Sequence, residues 1–318
     1  MASSVKSGSS TEMVFRTLIL KSAGLPGVER FVRSSRLFRP MVGRFIAGEG
    51  LAESISTAEG LAREGFFVSL DLLGENVATL EEAEAGTQAY LNLLDGIAKS
   101  EFKDAINISI KLTALGLDQD LDLAEANYRR LLEKAVGAET FVRADMEGSP
   151  YTQMTIDLVR KVRMEFVDTG TVLQSYLYRT DGDLETLIGD SCRLRIVKGA
   201  YLESEKIAFP TKADVDRKYL EQAKKLLVRG RYPAIASHDA AIIDELKRFV
   251  VSRGIDKKSF EWQMLHGIRR DLQRQLLDEG YNVRVYLPFG EAWYPYFTRR
   301  LAERPANVLF IMKSLFAK

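Results

Sequence analysis

The chain has few of the residues that build cross-links and metal centres. Among 318 residues there is one cysteine, Cys192, and there are two histidines, His238 and His266. A single thiol excludes an intramolecular disulfide and favours a reducing compartment. The two histidines lie far apart and match no standard metal-ligand spacing, which argues against a histidine-rich metallohydrolase and predicts no metal site.

Long apolar runs and an excess of charge of one sign are also lacking. No uninterrupted apolar run approaches the ~20 residues that span a bilayer. The polar opening "MASSVKSGSS" has no apolar core of a signal peptide and predicts a flexible start over residues 1–10. The net charge is +1, so no global positive field is available to attract nucleic acid. These absences predict a cytoplasmic protein that binds no nucleic acid.

Short apolar runs, many of them β-branched, recur from residue 66 onward, with helical spacing between them. Strand alternating with helix predicts a parallel sheet covered by helices. Eight such units over roughly 240 residues predict a (β/α)₈ barrel, whose usual size is about 250 residues; an open doubly wound sheet is the competing topology. The runs are 66–73, 105–112, 140–146, 171–177, 193–199, 233–237, 260–265 and 282–287, and helical candidates include 79–99, 121–136, 151–167, 213–229, 239–253 and 269–279.

Residues 11–60 carry helical spacing without strand alternation. They predict two or three N-terminal helices, one of which Pro40 breaks or starts. Residues 61–318 are expected to form the barrel with a C-terminal helix, so that the chain is one domain overall.

Polar residues stand where the apolar runs end. In a barrel these carboxyl ends converge on one face, where active sites are built. Lysine and aspartate are rarely buried without a partner, so the set as a whole indicates a site. The residues are Asp71, Glu75, Lys111, Asp145, Lys198, Ser237, His238, His266 and Tyr286.

The stretch "YLPFGEAWYPYFTRRLAER" predicts a helix that places Tyr296, Arg299, Arg300 and Glu303 on one broad face. An ion pair on a solvated helix surface is one interpretation. The other is an anion clamp, because arginine grips a carboxylate or a phosphate through two parallel N–H bonds. Spacing alone does not distinguish them.

This stretch resembles the C-terminal signature of the proline dehydrogenases, Y-x-P-x-G followed by Y-x-x-R-R-x-x-E. The resemblance continues in family order through "LDLLGE", "SIKLTALG", "VRADMEG", "LQSYLYR", "RIVKGAYLE", "ASHD" and "QMLHG", and it covers roughly residues 60 to 310. It implies a barrel that binds FAD and oxidises L-proline to Δ1-pyrroline-5-carboxylate. The chain resembles the single-function members, without a fused aldehyde dehydrogenase domain, and a quinone is the expected electron acceptor.

The resemblance also implies roles for individual residues. Asp145 and Arg195 are the expected catalytic residues, with Arg195 near the flavin N5 side. The substrate carboxylate and ring are assigned to Lys111, Tyr286, Tyr296, Arg299, Arg300 and Leu265, with Glu75 and Glu303 orienting the arginines. The cofactor is assigned to Met146, Gln174, Arg195, Val197, Lys198, Gly199, Ala200, Ser237 and His238.

Alternatives remain open at this stage. A class I aldolase would use Lys111 or Lys198 as a Schiff-base nucleophile, and a non-enzymatic binding barrel would bind the anion without turnover. A nicotinamide enzyme is disfavoured, because "GEG" at 48–50 has Glu53 in place of the third glycine and follows no clear strand. The apolar segment 307–316 is expected to pack on the barrel or to dock peripherally on the inner face of the cell membrane, where quinone is found.

Overall fold

The computed structural model describes residues 26–35 and 38–302. Within these residues three helices come first: α1 (Pro26–Ser34), α2 (Arg39–Val42) and α3 (Leu51–Arg63). Strands and helices then alternate to the end of the described chain. They are β1 (Phe67–Leu72), α4 (Leu80–Ala98), β2 (Ile106–Ile110), α5 (Leu121–Gly137), β3 (Val142–Ala144), α6 (Ser149–Arg163), β4 (Thr169–Gln174), α7 (Thr180–Gly189), β5 (Arg193–Val197), α8 (Lys212–Arg229), β6 (Ala234–Ala236), α9 (Ala240–Ser252), β7 (Glu261–Leu265), α10 (Arg270–Asp278), β8 (Asn282–Phe289) and α11 (Trp293–Ala302).

The eight strands form a closed parallel barrel in sequence order. Closure is made by β8 beside β1, with Phe67 opposite Arg284 and Leu72 opposite Phe289. Each strand overlaps its predicted run, so the (β/α)₈ barrel is confirmed and the open doubly wound sheet is wrong. Pro40 lies in the first turn of α2, where a missing N–H costs nothing, and it therefore starts that helix.

Side chains alternate between the helix layer and the barrel interior, as the pleat of a strand requires. Val68, Leu70 and Ile108 are completely buried in the main apolar core. The residues between them are polar: the hydroxyls of Ser69 and Ser109 lie 3.2 Å apart. The inside of the barrel is therefore polar while its outer layer is apolar.

The segment that joins α2 to α3 runs along the carboxyl ends of β7 and β8. The Ala47 N–H donates to the Pro288 carbonyl at 2.9 Å, and the Gly290 N–H donates to the Gly48 carbonyl at 3.0 Å. Gly267 has a φ of +74°, and a Cβ there would lie 1.9 Å from the Arg44 carbonyl oxygen, so only glycine admits this approach. The N-terminal segment thus borders the face where the strand ends converge.

A second apolar cluster fastens α11 to this segment. Phe45 and Ile46 pack with Trp293 and Phe297 of α11. The Trp293 indole N–H donates to the Glu49 carboxylate at 2.6 Å. The last helix of the described chain is therefore anchored beside the same face.

Some predictions concern residues that the structure does not describe. They are the flexible start, the helical spacing before residue 26, Glu303 and the segment 307–316. Among the helices described, none is long and apolar enough to cross a membrane.

Candidate active site

Asp71 and Lys111 form a buried ion pair at the carboxyl ends of β1 and β2. The Lys111 Nζ donates to Asp71 Oδ1 at 2.8 Å, and both side chains are largely withdrawn from solvent. Burial disfavours the charged form of Lys111 and by itself would lower its pKa. The nearby carboxylates of Asp71 and Asp145 have the larger effect, so the pKa of Lys111 is raised. Lys111 therefore carries a fixed positive charge at neutral pH.

Asp145, which follows β3, joins two further strands. Its Oδ1 accepts from Arg195 Nη1 at 2.8 Å, and its Oδ2 accepts from the Tyr286 hydroxyl at 2.7 Å. The Arg195 guanidinium also lies over the Tyr286 ring, 5.1 Å from its centroid. Burial and the nearby Asp145 and Asp71 carboxylates raise the pKa of Tyr286, so the phenol stays protonated and acts as a donor.

Arg195 uses all three of its nitrogens inside the barrel. Nη1 binds Asp145, Nη2 donates to the Ser109 hydroxyl at 3.1 Å, and Nε donates to the Gln263 side-chain carbonyl. Its side chain is only 6% exposed. A cation held from three strands in this way is rigid, which is the arrangement that electrostatic catalysis needs.

Two polar residues lie at the rim of this face. Glu147 is buried and accepts from the backbone N–H of Thr113 at 3.1 Å; burial raises the pKa of its carboxyl group. Tyr201, in the loop after β5, has its pKa raised by burial and by the charges of Glu75 and Glu147, with a smaller opposing effect from Lys111. Tyr201 and Glu75 therefore belong to the same electrostatic neighbourhood as Lys111.

The residues expected to hold the cofactor lie at the ends of β4, β5 and β6. The Gln174 amide donates to the Glu147 carbonyl at 3.0 Å and accepts from the Ala200 N–H at 3.4 Å. Gly199 has a φ of +125°, and a Cβ there would enter the Tyr176 ring. The loop after β5 is thereby tied to the end of β4.

Lys198 makes contacts that its place at a strand end did not indicate. Its Nζ donates to Asp216 of α8 at 2.5 Å and to Asp239 at 3.2 Å.

The other residues expected to contact the cofactor lie nearby. His238 accepts a hydrogen bond from the Leu265 N–H on Nε2 at 2.8 Å, and the Ser237 hydroxyl accepts one from the Asp239 N–H at 3.1 Å. Met146 is buried and Val197 half-buried. These residues border the same face, and their expected roles toward the cofactor stay predictions.

On α11 the two adjacent arginines differ in their surroundings. The Arg300 guanidinium lies over the Tyr296 ring, 5.2 Å from its centroid, whereas Arg299 is exposed. Tyr296 is buried in the cluster of apolar residues against which Leu265 of β7 packs. The helix thus brings Tyr296 and Arg300 together at (i, i+4) spacing, while Arg299 points to solvent.

No role was assigned from the sequence to four residues of this site: Asp71, Glu147, Tyr201 and Gln263. Of these, Asp71 was noted only as a polar residue at the end of a strand. The signal for two of them is present in the strands. Polar residues stand at alternate positions in "SLD" of β1 and "EWQ" of β7, which places Asp71 and Gln263 inside the barrel. Within the described residues, no group of three or more His, Cys, Asp or Glu side chains could hold a metal ion.

A parallel barrel whose strand ends carry a buried, interlinked set of charges has the architecture of a barrel enzyme. Comparison with known proteins specifies the class. The family model described as proline dehydrogenase matches residues 54–313. Proline dehydrogenase 2 of Bacillus subtilis (strain 168) is 43% identical over 280 residues, which are 88% of this chain and 92% of that protein. Proline dehydrogenase of Deinococcus radiodurans is 40% identical over 307 residues, 96% of this chain and 98% of that protein. The chain therefore belongs to the proline dehydrogenase family, and it is an enzyme of that family.

A solved structure shares the fold. It is proline utilization A (PutA) from Bdellovibrio bacteriovorus inactivated by N-propargylglycine, with a TM-score of 0.79 and 24% identity. The match covers 92% of this chain and 37% of that one. The family resemblance read from the motifs is confirmed.

Proposed function

We propose that this protein oxidises L-proline to Δ1-pyrroline-5-carboxylate with a noncovalently bound FAD, and that a quinone then receives the electrons. The observation that carries the proposal is the rigid cation Arg195, held by Asp145 and flanked by Tyr286 on the face where the strand ends converge. Family membership supplies the substrate class, and the site supplies groups that fit it.

The residues at the ends of β4 to β6 fit a flavin. A reduced flavin carries negative charge, and the buried guanidinium of Arg195 together with the ammonium of Lys198 would stabilise it. Gln174 offers an amide, which can both donate and accept. Gly199 keeps the backbone of the loop after β5 close to β4. Met146, Val197, Ala200, Ser237 and His238 are the further proposed contacts. When bound, the flavin would supply the two-electron acceptor for the hydride that leaves the proline ring carbon beside nitrogen.

The groups around Lys111 fit the proline carboxylate. Asp71 keeps Lys111 charged, so its ammonium is available to an anion at neutral pH. On α11, Arg299 is exposed and Arg300 is half-buried, and we propose that the two arginines complete a carboxylate clamp that Glu75 and Glu303 help to orient. Tyr286, Tyr296 and Leu265 supply the apolar walls for the three ring methylenes. Asp145 fixes the positions of the Arg195 guanidinium and the Tyr286 hydroxyl through its two hydrogen bonds.

The aldolase alternative has weaker support. A Schiff-base lysine must be neutral to attack a carbonyl, but Lys111 has a raised pKa and Lys198 is paired with two carboxylates. Lys111 is therefore held as an ammonium group and Lys198 is engaged by Asp216 and Asp239, which disfavours nucleophilic attack by either lysine.

One spectrum tests the proposal. Purified protein is expected to show flavin absorbance that acid releases into solution, and L-proline added without oxygen should bleach it. Correctly folded protein that takes up no flavin on incubation with FAD would refute the cofactor. Flavoprotein that stays yellow with L-proline but bleaches with dithionite would refute the substrate. Borohydride trapping of a lysine adduct would favour the aldolase instead.

A further inference from the structure

A chain of hydrogen bonds inside the barrel leads from β8 through β7 to Arg195 and Asp145. At its base, the buried Glu261 carboxylate accepts from Arg284 Nε at 2.9 and 3.0 Å. The same carboxylate accepts from the Gln263 amide nitrogen, and the Gln263 carbonyl accepts from Arg195 Nε. Arg195 then continues the chain to Asp145. Gln263 is the one uncharged member between the Glu261–Arg284 pair and the Arg195–Asp145 pair.

Chemistry permits a single orientation of the Gln263 amide. The Arg195 Nε has a proton and no lone pair, so it can only donate. Burial works against ionisation of Glu261, but Arg284 outweighs it and lowers the pKa of that carboxyl group, so Glu261 is a carboxylate and can only accept. The amide NH₂ must therefore face Glu261 and the carbonyl oxygen must face Arg195.

The strand makes this orientation rigid. Glu261 and Gln263 are two residues apart on β7, and so their side chains lie on the same face of the sheet. Gln263 is 2% exposed and Arg195 is 5% exposed. Water cannot readily replace the amide at either end of this chain. The Arg195 guanidinium is then fixed by Gln263 at Nε, by Asp145 at Nη1 and by Ser109 at Nη2.

We propose that Gln263 is a positioning residue for the oxidation: through its hydrogen bond to Nε it holds the Arg195 guanidinium in the position from which the charge acts on the bound flavin. This inference rests on the proposed function, because it assigns the charge of Arg195 to the cofactor. Glu261 acts through Gln263 by fixing its amide orientation. Loss of the amide should let Arg195 tilt toward Asp145, and the positive field at the flavin should weaken.

The test measures the reduction potential of the bound flavin in Gln263→Met, which keeps length and apolar volume but removes both hydrogen bonds. We expect a shift to more negative potential of about 15 to 30 mV, equivalent to a three- to tenfold change in the two-electron equilibrium. Turnover should fall by a similar factor, while KM for proline changes less than about twofold, since the carboxylate-binding groups are untouched. In an Arg195→Met background the same substitution should shift the potential no further, as expected for residues that act as one unit.

Gln222→Met is the matched control. Gln222 is buried to 1% exposure and donates to Asp181 at 2.8 Å, between α8 and α7 and away from the barrel interior. It should lower thermal stability without moving the potential. A Gln263→Met holoprotein with wild-type potential would show that Gln263 has only a structural role and would overturn the proposal. So would an equal shift in the Arg195→Met background.

A second variant covers the case in which Gln263→Met does not fold. Gln263→Glu keeps an acceptor for Arg195 but adds a carboxylate beside it, so the potential should become more negative as that carboxyl group ionises with rising pH. A potential with wild-type pH dependence in Gln263→Glu would overturn the inference. Failure of the proposed function gives a different result: the wild-type protein itself would then bind no flavin, or its flavin would not be reduced by proline.

Discussion

At the scale of single residues, the site is organised around a few buried groups with more than one partner. Asp145 is the clearest case, because its two oxygens bind Arg195 of β5 and Tyr286 of β8. Such a carboxylate both neutralises a buried cation and sets the distance between two strands. Its removal should therefore be felt in stability as well as in activity.

Replacing Asp145 by Asn should destabilise the protein by about 3 kcal/mol, because the buried Arg195 loses its counter-charge. The measurement is the free energy of unfolding in urea, on the wild type and the variant. Asp157→Asn on α6 is the control, since Asp157 is exposed and accepts one hydrogen bond from Gln153; it should cost less than about 0.5 kcal/mol. Equal urea midpoints for the two variants would contradict the buried-pair assignment.

His266 makes the stability depend on acid. Burial, with a smaller effect of Arg270, lowers the pKa of His266 to about 4 from an ordinary value of 6.5. Between these values the unfolded chain binds a proton that the folded chain does not, so acidification favours unfolding. Stability should be undiminished by this group above about pH 6.5 and should fall by on the order of 1 kcal/mol per pH unit below it. His266→Gln should flatten the urea-midpoint profile between pH 6.5 and 5; an unchanged slope would show that other groups are responsible.

At the scale of elements, α11 combines a buried aromatic face with two arginines in unlike settings. Arg300 stacks on Tyr296, a contact worth about 0.5 to 1 kcal/mol at a partly exposed site. Arg299 is exposed and so should contribute little to stability. The contribution of this helix to stability and its proposed role in substrate binding can therefore be tested separately.

Arg299→Met and Arg300→Met are both expected to raise KM for proline on the order of tenfold, since an Arg–carboxylate contact contributes roughly 1.5 to 3 kcal/mol. Only Arg300→Met should also lower the free energy of unfolding, by about 0.5 to 1 kcal/mol. Flavin content should be unchanged in both. Steady-state kinetics, flavin occupancy and urea unfolding on the same samples check this. Wild-type KM in both variants would place the carboxylate elsewhere.

Strands and helices could be predicted from the sequence where the pattern of apolar residues within the element is strong. The eight strands overlap their predicted runs because buried strands read as apolar stretches with polar ends. The helix α7, "TDGDLETLIG", was not among the named candidates: it has two glycines and only three apolar residues, Leu184, Leu187 and Ile188, all of which are buried. Its sequence alone carries too weak a periodicity.

Contacts between elements were harder to predict. Lys198 was placed at a strand end by its sequence, but its partners Asp216 and Asp239 are 18 and 41 residues away. Gln263 is separated from Arg195 by 68 residues. Hydrogen bonds between strand ends depend on how the barrel closes and on the register of its strands. Neither can be predicted from the local sequence of a single strand.

At the scale of the whole molecule, ion pairs connect the outer helices around the barrel. Each helix from α3 to α10, or the residues just after it, is joined to the next, and the last pair returns to the end of α3. The pairs are Arg63–Glu101, Glu84–Arg130, Glu125–Lys161, Arg160–Asp190, Glu185–Lys225, Lys224–Glu245, Lys247–Glu279 and Arg274–Glu64. Most of these side chains are well exposed, so each pair is worth about 0 to 1 kcal/mol. Their combined contribution to the free energy of unfolding should be measurable, because a pair joins each outer helix to the next.

Salt should therefore lower the thermal stability of this protein. At 1 M NaCl the Debye length is about 3 Å, which screens exposed pairs. If screening removes about 2 kcal/mol in total, Tm should fall by about 4 °C between low salt and 1 M NaCl. A variant that loses four acidic members of the ring should have a lower Tm at low salt and a flatter salt dependence: Glu84→Gln, Glu125→Gln, Glu185→Gln and Glu245→Gln.

The matched control neutralises four exposed acidic residues that are not part of the ring: Asp104→Asn, Glu133→Gln, Asp244→Asn and Asp278→Asn. Both variants change the net charge by the same amount, so a general charge effect moves them together. Calorimetry at low and high salt separates the two explanations. If the control loses as much Tm at low salt as the ring variant, the stabilisation comes from net charge and the helix-to-helix pairs add nothing. A retained salt dependence in the ring variant would lead to the same conclusion, because the screened interactions would then lie elsewhere on the molecule.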